Sequence, residues 1–196
     1  MAKNISDVLK ERIAKEGVAR QTAKSRKWFL DSARKLGSVR RPRLLADRTQ
    51  NLTDKPLIGD MLLYEYDPKL KDTLPYYDRL PLIFVVDYYK DGFLGINLHY
   101  LPPILRLQLF EVLIKLKNNK KYDHTTRLKL SWAVLKKVSK ANFVQPTVKR
   151  YLTNHLRTRF LVIPPEEWEI VVFLPIEKFE KASRSQVWAD SKRKMK

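Results

Sequence analysis

The stretch from Gly59 to Leu98 constrains this chain more than any other, because its apolar side chains recur with a period of two and not with the helical 3.6. Met61 to Tyr66, Leu82 to Val86 and Phe93 to Leu98 are short runs rich in β-branched and aromatic residues, which predicts three strands. Asp67-Pro68 and Asp91-Gly92 supply turn chemistry between them: aspartate satisfies neighbouring backbone amides, and glycine accepts a positive φ. The last two strands are therefore expected as a hairpin. Two further runs, Arg159 to Ile163 and Trp168 to Leu174, separated by Pro164-Pro165, bring the expected count to about five strands.

Helical spacing frames this block on both sides. Ile5, Val8, Leu9 and Ile13 mark a helix over 4–16 that ends at Gly17, and Phe29, Ala33 and Leu36 mark another that ends at Gly37. From Ser38 to Pro56 no period is visible, and an extended arm is expected. Pro102-Pro103 opens a helix with a broad stripe of Leu105, Leu109, Val112, Leu113 and Leu116. Asp123 precedes a capped helix that turns Leu128, Trp132 and Leu135 inward. Pro146 is read as starting a short helix holding Lys149, Arg150 and Tyr151. The expectation is an α+β chain: a small antiparallel, partly barrel-like sheet with flanking helices and extended basic termini. It divides into an arm over 1–55, a core domain over 56–176 and a basic tail over 177–196, where Phe179, Val187 and Trp188 keep helical spacing and the end KRKMK is expected to be solvated or bound to a polyanion.

Charge is segregated along this plan. The chain carries 40 Lys and Arg against 21 Asp and Glu, a net charge of +19. Residues 115–160 alone hold 13 cations against the single Asp123, whereas 56–114 hold 5 against 8 acids. Repulsion on that scale is relieved by an anionic partner, so phosphate contact is expected and base reading is not. The candidate DNA-binding residues are Arg40, Arg41, Arg43, Lys120, Lys121, Lys129, Lys136, Lys137, Lys140, Lys149, Arg150, Arg157 and Arg159. Lys129, Lys136 and Lys140 share one sector of a helix, opposite its apolar stripe. A solvated helix face is the alternative meaning of each cluster taken singly.

Other chemistries have little to stand on. With no cysteine, disulfides, thiolate metal sites and cysteine nucleophiles are excluded together. His99, His124 and His155 have no metal-ligand spacing, no glycine-rich phosphate cradle is present, and no cofactor is expected. A metal-dependent nuclease built on Asp78, Asp87, Lys90 and Asp91 is a weaker alternative, since Asp87 to Lys90 is one residue too long to put acid and lysine on one strand face. Tyr76, Tyr77, Tyr88 and Tyr89 have the flat rings for base stacking but lie in the acidic block, which favours a packing role. No apolar run approaches the roughly 18 residues of a membrane span, so no membrane partner is expected.

The strings LPYYDRLPLIF and GINLHYLPP, followed by KKYDHTTRLKLSW, YLTNHLRTRFLVIPPEEWEIVVFLPIEKFEKASRSQ and VWADSKRKMK, resemble virion proteins of large T-even-like contractile-tailed bacteriophages. The family is that of DNA-end-protector, or head-completion, proteins, and the resemblance runs from about Trp28 to the C-terminus. It implies a non-enzymatic protein, present in multiple copies in a symmetric assembly, that is added to the filled head and covers double-stranded DNA ends. Portal, neck or tail virion proteins are the implied neighbours. The implied place is the virion head-tail junction, with the host cytoplasm during assembly. It implies no catalytic residue. The alternative is a neck, tail or baseplate connector whose basic arms bind neighbouring virion proteins.

Overall fold

The computed structural model describes residues 52–117, 144–165 and 167–195, with isolated positions between 15 and 28 and between 133 and 142. The expected helix over 4–16, most of the one ending at Gly37, the arm up to residue 51 and most of the helix after Asp123 lie outside the described residues. Lys24, Ser25, Lys27 and Trp28 are helical, and Ser25 is buried with its hydroxyl donating to Glu169 Oε1 at 2.5 Å.

The strands are β1 (Leu52–Thr53), β2 (Met61–Leu63), β3 (Tyr77–Asp78), β4 (Leu82–Tyr89), β5 (Gly92–Asn97), β6 (Val148–Leu152), β7 (Phe160–Ile163) and β8 (Phe179–Glu180). Six form one antiparallel sheet in the order β1-β7-β2-β4-β5-β6, and β3 pairs with β8 in a second. The architecture is α+β, as expected, with six strands plus two in place of about five. The β4–β5 hairpin forms around the expected turn, but Gly92 does not adopt a positive φ. It is needed for another reason: a Cβ there would sit 1.9 Å from the Tyr151 carbonyl oxygen.

The period of two is apolar on both faces. Met61, Leu63, Leu82, Phe84, Ile96, Leu161 and Ile163 face one core, and Leu62, Tyr64, Ile83, Val85, Phe93, Tyr151 and Phe160 face the other. In a flat sheet β5 and β7, three strand spacings apart, would be separated by about 14 Å. The rings of Phe93 and Phe160 are 5.5 Å apart, so the sheet curls around its aromatic face. The curl brings Tyr66 onto Tyr151 at 5.0 Å and lets residues 65–67 hydrogen-bond to 155–157 without closing a barrel.

Helix α1 (Pro103–Lys117) begins where the proline pair predicts, with Leu109 and Phe110 buried. Two expectations are corrected. Trp168 to Leu174 is not a strand: Trp168–Val171 forms a short helix, α2, followed by turns. Every residue from 168 to 174 is buried, Glu169 included, so no side of the run faces solvent and its period carries no information. Pro146 opens only a 3-10 turn, Gln145–Thr147, and Lys149, Arg150 and Tyr151 stand in β6, opposite Gly95, Leu94 and Phe93 of β5. That pairing joins segments far apart in sequence, which no local pattern reveals.

The C-terminal segment packs on the body. Ser183 and Gln186 form a capping box that starts α3 (Arg184–Lys194), Val187 is fully buried, and Trp188 Nε1 donates to the His99 carbonyl at 2.8 Å.

Candidate nucleic-acid interface

Of the cations singled out from sequence, Arg40, Arg41, Arg43, Lys120, Lys121, Lys129 and Lys140 lie outside the described residues; Lys136 and Lys137 are exposed and helical. The other four separate into two kinds. Arg150, Arg157 and Arg159 are exposed, and each meets a carboxylate: Asp91 at 2.5 Å, Asp67 at 2.6 Å and Asp54 at 2.8 Å. These pairs bring together residues 59, 90 and 105 positions apart, so part of the segregated charge is neutralised across the fold.

Lys149 is different. Strand alternation turns it to the opposite face from Arg150, and its ammonium lies 4.3 Å over the ring of Tyr100. Burial pushes that ammonium down to about 8, and the nearby Lys194 pushes the same way. Among the described residues no carboxylate forms an ion pair with Lys149. The neighbour is the last turn of α3, where Lys192, Arg193 and Lys194 are exposed; Arg193 meets Asp190 one turn back. The KRKMK run is visible in the sequence but its place is not, because the burial of Val187 and the Trp188 hydrogen bond to His99 that seat α3 are tertiary events. A helix C-terminus suits cations, so the turn is locally stable with three of them. Beside Lys149 it concentrates positive charge of which, among the described residues, only Arg193 meets a carboxylate, that of Asp190.

The acids weighed for a nuclease have separate occupations. Asp78 is buried, with Nδ1 of His99 at 2.6 Å from Oδ2, Asn97 Nδ2 donating at 3.1 Å and the Leu80 amide donating at 3.0 Å. Burial opposes its charge, yet His99, Asn97 and the Leu80 amide together hold its carboxyl below the ordinary range. Asp87 accepts from the Tyr88 amide and Asp91 from Arg150. No three His, Asp or Glu side chains gather as a metal site among the described residues, and no helix among them is long and apolar enough to cross a membrane. His99, expected as partly buried, is fully buried. The tyrosines also divide: Tyr76 tilts against Tyr100 at 6.0 Å, while Tyr88 and Tyr89 are about half exposed, with the Arg150 guanidinium 4.8 Å over Tyr89.

The geometry therefore offers cationic surface and no described catalytic cluster. One family matches the chain, that of the phage T4 terminal DNA protecting protein, over residues 1–193. No curated protein and no solved structure matches it.

Proposed function

We propose, because the chain belongs to the phage T4 terminal DNA protecting protein family, that it is a non-enzymatic virion protein which binds the ends of packaged duplex DNA and shields them from exonucleases. In this reading it completes the filled head at the head-tail junction, in several copies beside portal, neck or tail proteins. The observation that carries the DNA contact is Lys149 next to the last turn of α3. Two segments far apart in sequence place like charges together, one of them half-buried, and among the described residues no carboxylate pairs with Lys149, which supports an external anion there. Phosphates supply that anion without any base reading, in keeping with a protein that must accept an end of any sequence. The sequence carries further cations at 40–43 and 120–140, of which Lys136 and Lys137 are described and exposed.

Duplex binding measured across a salt series tests this. If about six phosphates are neutralised, log K against log salt falls with a slope of roughly −5. Lys149→Gln combined with Lys192→Glu and Lys194→Glu is expected to flatten that slope by two or more charges. Particles carrying this variant should assemble with tails, while their injected DNA is degraded in hosts with an end-dependent exonuclease and survives in hosts without one. A slope near zero for the unaltered protein removes the DNA reading.

A connector role is the second reading, favoured by a different observation. Leu57, Leu70 and Ile104 are each about 60% exposed, more than a surface that meets only phosphate requires. Under that reading the variant fails in tail attachment, and its infectivity is independent of the host exonuclease.

A further inference from the structure

We propose that a cleft beside the second sheet holds the terminal nucleotide of a DNA strand, its phosphate monoester gripped by Lys71, Arg79 and Arg157. This rests on the reading of the chain as a binder of DNA ends and names what it recognises there.

The cleft measures about 410 Å³ and is lined by Glu65, Asp67, Lys71, Tyr77, Arg79 and Arg157 among others. Its floor is the backbone of 65–67, held from two sides. The Tyr66 amide donates to the Arg79 carbonyl at 3.0 Å, the Arg157 amide to the Glu65 carbonyl at 2.9 Å and the Asp67 amide to the His155 carbonyl at 3.1 Å. Arg79 and Arg157 consequently flank one fixed segment, and the turn after Pro68 brings Lys71 to it.

The order of charge in the cleft is what an anion site needs. The side chain of Asp67 is 25% exposed, while those of Lys71 and Arg157, which bond to it, are 46% and 56% exposed. Arg157 first and Lys71 second hold the Asp67 carboxyl below its ordinary range. The carboxylate is the least exposed of the three and orients two cations that have further donors to offer. Arg79 joins them from the other side, only loosely engaged with Glu180 at 3.6 Å.

A second observation is independent of these pairs. Lys181 takes a left-handed backbone with φ of 68°, which a side chain other than glycine adopts at a cost. Its Nζ donates to the carbonyls of Lys71, Asp72 and Leu74 at 2.5, 2.9 and 3.2 Å. A strained residue is thereby used to lock the turn that carries Lys71. Strain of this kind persists where the surrounding structure over-determines it, and it concentrates at binding sites.

The dimensions choose the ligand. The side of a duplex is far too wide to enter such a cleft, but one nucleotide fits, with the Tyr77 ring as a flat surface for its base. A terminal phosphate monoester carries about 1.5 to 2 negative charges at pH 7, more than the single charge of an internal diester. Lys71, Arg79 and Arg157 outnumber Glu65 and Asp67 in the cleft, and the end of a strand, with its higher charge, gains more from that excess than the interior does.

The test uses the full chain and fluorescence anisotropy with three duplexes. One has a blunt end with a terminal phosphate, one the same end with hydroxyls only, and one is closed by hairpins at both ends. The phosphorylated end should bind at least about tenfold more tightly than the hydroxyl end, the value of one charge-assisted hydrogen bond. Arg79→Gln with Arg157→Gln should abolish that preference, and an unchanged far-UV circular dichroism spectrum and melting transition show that the variant folds. If that variant does not fold, Lys71→Gln, whose loss leaves both arginines in place, should reduce the preference severalfold. Equal affinity of the unaltered protein for phosphorylated and hydroxyl ends overturns the proposal while the DNA reading stands. Failure to bind any of the three duplexes overturns the DNA reading itself. Thymidine monophosphate competing as strongly as the phosphorylated end would make the cleft a free-nucleotide site and overturn recognition of strand ends.

Discussion

Arg106 and Lys149 are both cations withdrawn from water, but the protein treats them differently. Arg106 is 3% exposed; its Nε donates to the Leu101 carbonyl at 2.8 Å, its Nη2 to the His99 carbonyl at 3.2 Å, and Glu177 faces it at 3.7 Å. Arg184 reaches the same Glu177 at 3.0 Å, and the Arg106 guanidinium lies 5.6 Å from the Trp188 ring centroid. Lys149 has an aromatic face, a lysine beside it and no described ion pair. A buried charge with a full set of partners works inside the fold, joining α1 to the start of α3. One without them opposes folding; under the proposed function a DNA phosphate is what compensates Lys149.

The comparison is broken most forcefully at Arg106. Replacing it by alanine leaves Glu177 buried without its main countercharge and should lower stability by about 3 to 5 kcal/mol, measured by urea unfolding. α3 should then be the first element to lose hydrogen-exchange protection.

Acid provides the next largest effect. Asp78 and Glu177 are both held below their ordinary values of 3.8 and 4.5, Glu177 because Arg106, His99 and Arg184 outweigh the burial that opposes its charge. For a depressed carboxyl, the stabilisation is complete above the unfolded value and is lost as pH falls through the folded one. Unfolding free energy should therefore hold above about pH 4.5 and fall steeply below about pH 4, and Glu177→Gln should weaken that dependence.

At Lys149 the sign reverses. Its folded value is near 8 against an ordinary 10.5, so between these the unfolded chain binds more protons and stability rises with pH. Lys149→Met should stabilise the protein at pH 7 on the order of 1 to 2 kcal/mol, after the lost cation–π contact is subtracted. That gain should shrink between pH 8 and 10.5, and affinity for DNA should fall. A destabilised variant with undiminished DNA binding would mean that Lys149 belongs to the fold as Arg106 does.

The smallest effect is expected at Arg159, whose pair with Asp54 is exposed on both sides. Arg159→Gln should shift stability by no more than about 0.5 kcal/mol. Its effect on DNA affinity reads whether the arginines that sequence grouped with Lys149 share its role.

Much of the sheet was legible in the chain because hairpins are local. Period-two runs around Asp91-Gly92, and the proline pair before α1, mark β4, β5 and α1 with errors of a few residues. The misreadings share one cause. Lys149 to Tyr151 and Trp168 to Leu174 take their conformation from distant partners, β5 in the first case and surrounding apolar side chains in the second. The site follows the same division: the excess of cations is visible in the sequence, but which of them are neutralised is not. Arg150, Arg157 and Arg159 find Asp91, Asp67 and Asp54 only when the sheet curls.

By itself, the sequence determined an antiparallel sheet and a strongly basic protein, because period, turn chemistry and charge are written residue by residue; its family is read from the match over residues 1–193. The tertiary structure decided which charges remain open, because compensation depends on distance. Burial of Val187 and the hydrogen bond from Trp188 to His99 place the end of α3 beside Lys149, and the clamped segment 65–67 sets Arg79 and the Asp67-paired Arg157 on either side of one cleft.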